Sequence, residues 1–206
     1  VETEQEMNIV SPNKDLEIAK IVSNNSDISL IVDKSLTVKN LGGDEANIKA
    51  NNITIKVEDG QIGSSDNFVV VDVNEDGGKV NLEATDGINL KQLDHTFNSD
   101  YVYNTNSGTI NLDLPSSNAI IKDIESKENK VNIMFRDRNN INELMMNNQN
   151  IKNLTISPVP TQLDMINSID NLINMNTILF YNQKVLDSIV EPVKLISFNN
   201  IGIEEE

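Results

Sequence analysis

With 206 residues, no cysteine and 32 acidic against 16 basic side chains, the chain carries a formal net charge of −16. That balance argues against nucleic acid and anionic lipid as partners, since both would repel it, and the lack of thiols excludes disulfide scaffolds, thiolate metal sites and cysteine nucleophiles. A hydrophobic share of 38% with only 4% aromatics suits a narrow aliphatic core better than a compact globule of this length.

No signal peptide or apolar span of membrane length is read, and the opening at Val1 suggests a piece cut from something longer. Asparagine supplies roughly one residue in six, far above ordinary usage. Low genomic GC content would produce this excess. It would also serve left-handed turn positions and side-chain ladders between stacked strands.

Residues 1–15 are polar and acidic, with Pro12 breaking any regular element, and read as a tail or an incomplete first rung. In 16–22 the apolar positions are 16, 18, 21 and 22, which fit neither strand nor helix period. From Ile28 the alternation expected of strands is plain: 28–32, 36–38, a turn at 40–43, then 47–57. The central stretch continues it with 68–73, 80–84, 88–93, 109–114 and 119–124, separated by clusters of Gly, Asn, Asp and Ser. Similar phrases recur: Ala50-Asn-Asn-Ile-Thr-Ile-Lys-Val57, Gly78-Lys-Val-Asn-Leu-Glu-Ala84, Gly87-Ile-Asn-Leu-Lys91 and Gly108-Thr-Ile-Asn-Leu-Asp113. Matched in pairs they lie about 20–30 residues apart, the rung length of a solenoid. The expected fold is all-β, a parallel β-helix in which stacked rungs bury one apolar column that no rung could bury alone.

Beyond 125 the pattern loosens, with further strands at 131–135 and 151–156. Arg136-Asp-Arg138 is the densest basic point and reads as a surface ion pair. Pro158-Val-Pro160 marks a boundary between a β-helix segment, 1–157, and a capping region, 158–206. Thr161-Gln-Leu-Asp164 resembles a helix N-cap, and Leu163, Ile166, Ile169 and Ile173, then Val185, Leu186, Ile189 and Val190, follow at helical spacing. One or two short helices within 161–191 are expected, capping the open end of the stack.

Among candidate sites, Asp72-Val-Asn74-Glu-Asp76-Gly77 with Glu83 satisfies a calcium-loop spacing. The flanks read as strands, though, and Lys79 stands where an apolar residue belongs, so a β-turn at Asp76-Gly-Gly78 is the preferred reading and no metal or cofactor is assigned. His95 is the only histidine and reads as a surface residue beside Asp94. No catalytic motif is found, although β-helix enzymes that cleave polysaccharides stand as an alternative. The segment 93–106 carries Phe97, Tyr101 and Tyr103, interrupts the rung rhythm, and is the candidate binding protrusion; the alternative is an irregular rung whose aromatics pack inward.

The stretch Ala50-Asn-Asn-Ile-Thr-Ile-Lys-Val-Glu-Asp-Gly-Gln-Ile-Gly-Ser-Ser-Asp-Asn67, continuing through Gly77-Gly-Lys-Val-Asn-Leu-Glu-Ala-Thr-Asp-Gly-Ile-Asn-Leu90, resembles the repeats of very large filamentous adhesins. The leukotoxin-type adhesins of anaerobic bacteria, relatives of filamentous haemagglutinin, are the most similar in phrasing, above all at Gly60-Gln-Ile-Gly63 to Asn67. The resemblance covers about 40–125. It implies a right-handed helix, export by an outer-membrane two-partner secretion transporter, and a secreted or bacterial cell-surface location. It further implies non-catalytic binding to a host (leukocyte) cell-surface receptor, protein or glycan, by a monomer that does not insert into membranes. A purely structural shaft of such an adhesin is the other alternative.

Overall fold

The computed structural model describes residues 1–42, 45–115, 118–128 and 130–136, and the strands 143–149, 153–157, 162–165 and 177–180. Every pairing between its twenty named strands is parallel, the signature of a chain that returns in the same direction on each circuit. The result is a β-solenoid of about six turns, with no helix among the described residues.

The first rung is built from β2 (Met7–Ser11), β3 (Leu16–Ile18) and β4 (Ile21–Ser23), with β1 (Glu2–Thr3) laid beneath β4. The second stacks β5 (Ile28–Val32), β6 (Leu36–Val38) and β7 (Ile48–Ala50) directly over them. Above come β8 (Ile53–Val57) and β9 (Val69–Val73), then β10 (Val80–Ala84) and β11 (Ile88–Gln92). The upper rungs hold β12 (Phe97–Ser99), β13 (Val102–Asn104), β14 (Ile110–Leu114), β15 (Asn118–Ser126) and β16 (Lys130–Phe135). Last come β17 (Glu143–Gln149), β18 (Asn153–Ser157), β19 (Gln162–Met165) and β20 (Thr177–Phe180). Two long sheets result. One runs β1-β4-β7-β9-β11-β14-β16-β18-β20, and the other, here the β8 sheet, runs β2-β5-β8-β10-β13-β15-β17-β19.

Inward positions stack residue on residue. One column passes through Leu16, Leu36, Ile62, Ile88, Ile110 and Val131, and its register continues to Leu154 and Ile178. Leu36, Ile62, Ile88, Ile110 and Val131 are each 0% exposed. Fully burying an aliphatic side chain of this kind contributes about 1.5–3 kcal/mol, so the column is a main source of stability although each rung presents few apolar groups. Outward, asparagines do form a ladder. Asn111 donates Nδ2 to Asn89 Oδ1 at 2.8 Å, and Asn132 donates to Asn111 Oδ1 at 2.7 Å.

Corners are closed by small polar residues that face inward at strand ends. Ser23 donates to Gln5 O at 3.1 Å, Ser99 to Tyr101 O at 2.8 Å, and Asn104 to Ser107 O at 2.5 Å. Gln92, 0% exposed, donates Nε2 to Asp94 O at 2.7 Å. Each spends its donor on a turn carbonyl, which offsets part of the cost of burying it, while Gln92 Oε1 and Asn104 Oδ1 stay buried without a partner among the described residues. Arg136 ties three rungs: its guanidinium donates to Gln92 O and lies 3.0 Å from Asp113 on β14 as a charge pair without hydrogen-bond alignment. Burial raises the Asp113 carboxyl above its ordinary range despite Arg136 and Lys91. The expected surface pair at Arg136 is therefore a clamp between rungs; Asp137 and Arg138 lie outside the described residues.

Of the two readings of 1–15, the rung is the one found, with Met7 to Ser11 stacked on Ile28 to Val32. Two expectations change. The odd spacing in 16–22 is two strands with a corner at Ala19-Lys20, which resets the alternation so that Ile18 and Ile21 both point inward. Where the expected helix start falls on described residues, Gln162–Met165 is instead β19, paired Leu144 to Leu163 on β17, because the open ladder edge of the preceding rung outweighs a local capping signal. Both sheets run past 158, and within the expected helical region Thr177–Phe180 is also a strand, β20, paired with β18; the remaining residues of the expected cap lie outside the described residues.

Candidate functional site

The aromatic segment 93–106 is two strands of the β8 sheet, and its three aromatics divide between the two faces. Phe97 is 0% exposed and stacks under Ala119 inside the core, so it is not available as a surface contact. The inward-packing alternative holds for this residue. Tyr101 and Tyr103 sit two apart and so point outward together, half-buried on the sheet face, with ring centroids 5.2 Å apart and planes at 28°.

Charged side chains surround this stack because the register aligns them. Lys56, Glu83, Tyr103 and Glu125 form one outward column, and Lys56 Nζ lies 3.7 Å from Glu83. Asp100 is bridged by Lys122 at 2.6 Å and Lys79 at 2.8 Å, which holds its carboxyl below the usual range. Tyr103 donates its hydroxyl to Asp123 at 2.6 Å, and this bond, followed by burial, pushes the phenol up to about 12. Burial first, then the Glu83 charge, also raises Tyr101. Among the described residues the Tyr101 hydroxyl has no hydrogen-bond partner. One phenol is therefore anchored, and its neighbour is free to bond a ligand.

Alkaline titration of the phenolate absorbance checks the anchoring. In Asp123→Asn the Tyr103 step is expected to move down toward the ordinary tyrosine value, leaving Tyr101 raised. The raised folded value means that this bond stabilises the fold fully below the unfolded phenol value near 10 and is lost as pH climbs through about 12.

The calcium-loop spacing does not gather ligands. Asp72 is paired with Lys49 at 2.5 Å, Asn74 spends its amide on Ser23 O, Asn24 O and Asn51 Oδ1, and Glu83 faces Lys56. Asp76 reaches instead to His95 Nδ1 at 3.2 Å, and Gly78 N donates to Glu75 O at 3.2 Å, closing the expected β-turn with Gly77 at φ +95°. Among the described residues no group of three or more His, Cys, Asp or Glu side chains is placed to hold a metal.

A second feature escaped the sequence reading. A polar depression of about 210 Å³ opens at the corner where 39–42, 45–47 and 63–68 leave the core, lined by Leu41, Asp66, Phe68 and Lys91 among others. Its signal was present as length. Inward positions Val38 and Ile48, and again Ile62 and Val69, are separated by far more chain than Ile88 and Leu90.

Comparison with protein-family models, with characterised sequences and with solved structures gives no match. No family is shown. The Tyr101–Tyr103 face and the corner depression therefore have to be read from their own chemistry.

Proposed function

We propose that the chain is a right-handed β-solenoid segment of a secreted filamentous adhesin on the bacterial surface. In this reading it recognises a host-cell receptor without chemistry, through the outer face of the β8 sheet. The observation that carries the reading is the Tyr101–Tyr103 stack: two rigid amphipathic rings held side by side on a flat face, ringed by paired charges. Tyrosine supplies large contact area at low entropic cost and dominates recognition surfaces, while a rim of ion pairs sets orientation more than affinity. A protein receptor suits a flat face of this kind. The repeat phrases around Gly60 to Asn67 support the adhesin assignment, and the parallel stack supports the shaft-like geometry it needs.

Flow cytometry of fluorescently labelled protein on leukocytes and on unrelated cells tests this. Saturable binding is expected, weakened at least tenfold in Tyr101→Ala and in the Tyr101→Ala/Tyr103→Ala double variant. Binding that never saturates would leave a structural shaft as the function, and saturable binding indifferent to both tyrosines would move recognition to another face.

A further inference from the structure

Two consecutive rungs depart from the others at one corner. The rung below turns it in Ala19-Lys20 and the rung above runs straight from Ile88 to Leu90, but 39–42 with 45–47, and 63–68, both bulge outward. Stacking needs none of this extra chain, and in repeat folds such insertions commonly build the binding face.

The two bulges are fixed to each other and to the core. Asn67 donates Nδ2 to Val38 O at 2.5 Å, and Ser64 and Asn67 exchange backbone bonds at 3.0 and 3.1 Å. Asn47, 2% exposed, donates to Ala19 O at 2.8 Å and Lys39 O at 2.9 Å and accepts from Val70 N at 3.1 Å. The depression between them is therefore preformed, with its walls held by the buried Asn47 and the half-buried Asn67, as small-molecule sites usually are.

Other groups in it are left over. Asn40 accepts from Gly42 N at 2.8 Å through its side-chain oxygen, which leaves its amide nitrogen to donate elsewhere. Among the described residues the Asp66 carboxylate has no partner, and Phe68 presents a half-buried ring. A carboxylate that accepts, an amide that donates and an aromatic face are together the complement of a sugar ring, whose hydroxyls need both kinds of bond and whose C–H face is apolar. Glu45 is paired with Lys20 at 3.4 Å, so the unpaired Asp66 is the rim charge that disfavours an acidic sugar. We propose that this corner pocket holds one neutral saccharide residue, stacked on Phe68 and hydrogen-bonded by Asp66 and Asn40. The site lies apart from the Tyr101–Tyr103 face and does not depend on the adhesin reading.

Saturation-transfer NMR and calorimetry on the full chain, with the methyl glycosides of glucose, galactose, mannose and N-acetylglucosamine as probes, test it. At least one glycoside is expected to bind with a millimolar Kd, weakened at least tenfold in Asp66→Ala and in Phe68→Ala and unchanged in Tyr101→Ala. Asp66 is exposed, so its substitution leaves the fold intact, and the melting curve of each variant verifies this. Absence of transfer to all four glycosides would overturn the proposal, as would binding that survives both pocket substitutions or that is lost in Tyr101→Ala.

Discussion

Phe97→Ala is expected to lower the unfolding free energy by about 3–5 kcal/mol, measured by urea denaturation followed by far-UV circular dichroism. The ring is 0% exposed, among the largest fully buried side chains, and lies against Ala119 on the rung above. A small neighbour cannot expand to fill the space, so truncation leaves a cavity and not a repacked core. Tyr101→Ala is the informative companion. Its ring is half-buried on the outer face, so its loss is expected to change receptor binding far more than stability. A Phe97→Ala variant as stable as the wild type would show that the ring is not seated in the core.

Gly108→Ala is expected to cost about 1–3 kcal/mol for a positive φ and a comparable amount for overpacking. Gly108 has φ +85°, and a Cβ there would stand 2.9 Å from Gly87 N and 3.0 Å from Gly87 Cα, the backbone of the neighbouring rung. Neither rung can yield without losing register. Gly77 isolates the two contributions: its φ is +95°, but nothing lies within 4 Å of the added carbon. Gly77→Ala should therefore show the conformational cost alone, and the difference between the two melts reports the rung-to-rung contact. Equal losses in the two variants would mean that the rungs have room to part at this corner.

These glycines also explain what the sequence could reveal. Gly87-Ile-Asn-Leu and Gly108-Thr-Ile-Asn-Leu look alike because each opens a strand beneath or above the other, with Ile88 on Ile110, Asn89 on Asn111 and Leu90 on Leu112. Where inward positions were aliphatic, as in 53–57 or 80–84, alternation located the strands to within a residue. It failed at 97–104 because Ser99 and Asn104 occupy inward positions, 2% and 0% exposed, and their hydrogen bonds to turn carbonyls are invisible in a hydropathy pattern. It failed at 16–22 because a corner without glycine or proline resets the phase. The Tyr101–Tyr103 pair was legible as a cluster, but its separation from Phe97 was not, since one misplaced strand boundary exchanges the two faces. The corner pocket was least legible. Its residues come from two bulges and a third rung, and only the stacking register brings Asn40, Phe68 and Lys91 to one place.

The uniform register has a kinetic corollary. Backbone partners in paired strands are separated by one circuit, from Glu143 and Gln162 at the short end to Ile53 and Val80 at the long end, so no step in assembly has to close a loop much longer than that. Loop-closure entropy then stays small and nearly constant along the chain. Each new circuit finds its template as soon as it is available, whichever end comes first. A polypeptide of this design can acquire structure progressively while the remainder is still threaded or unmade, with nothing waiting on a distant terminus.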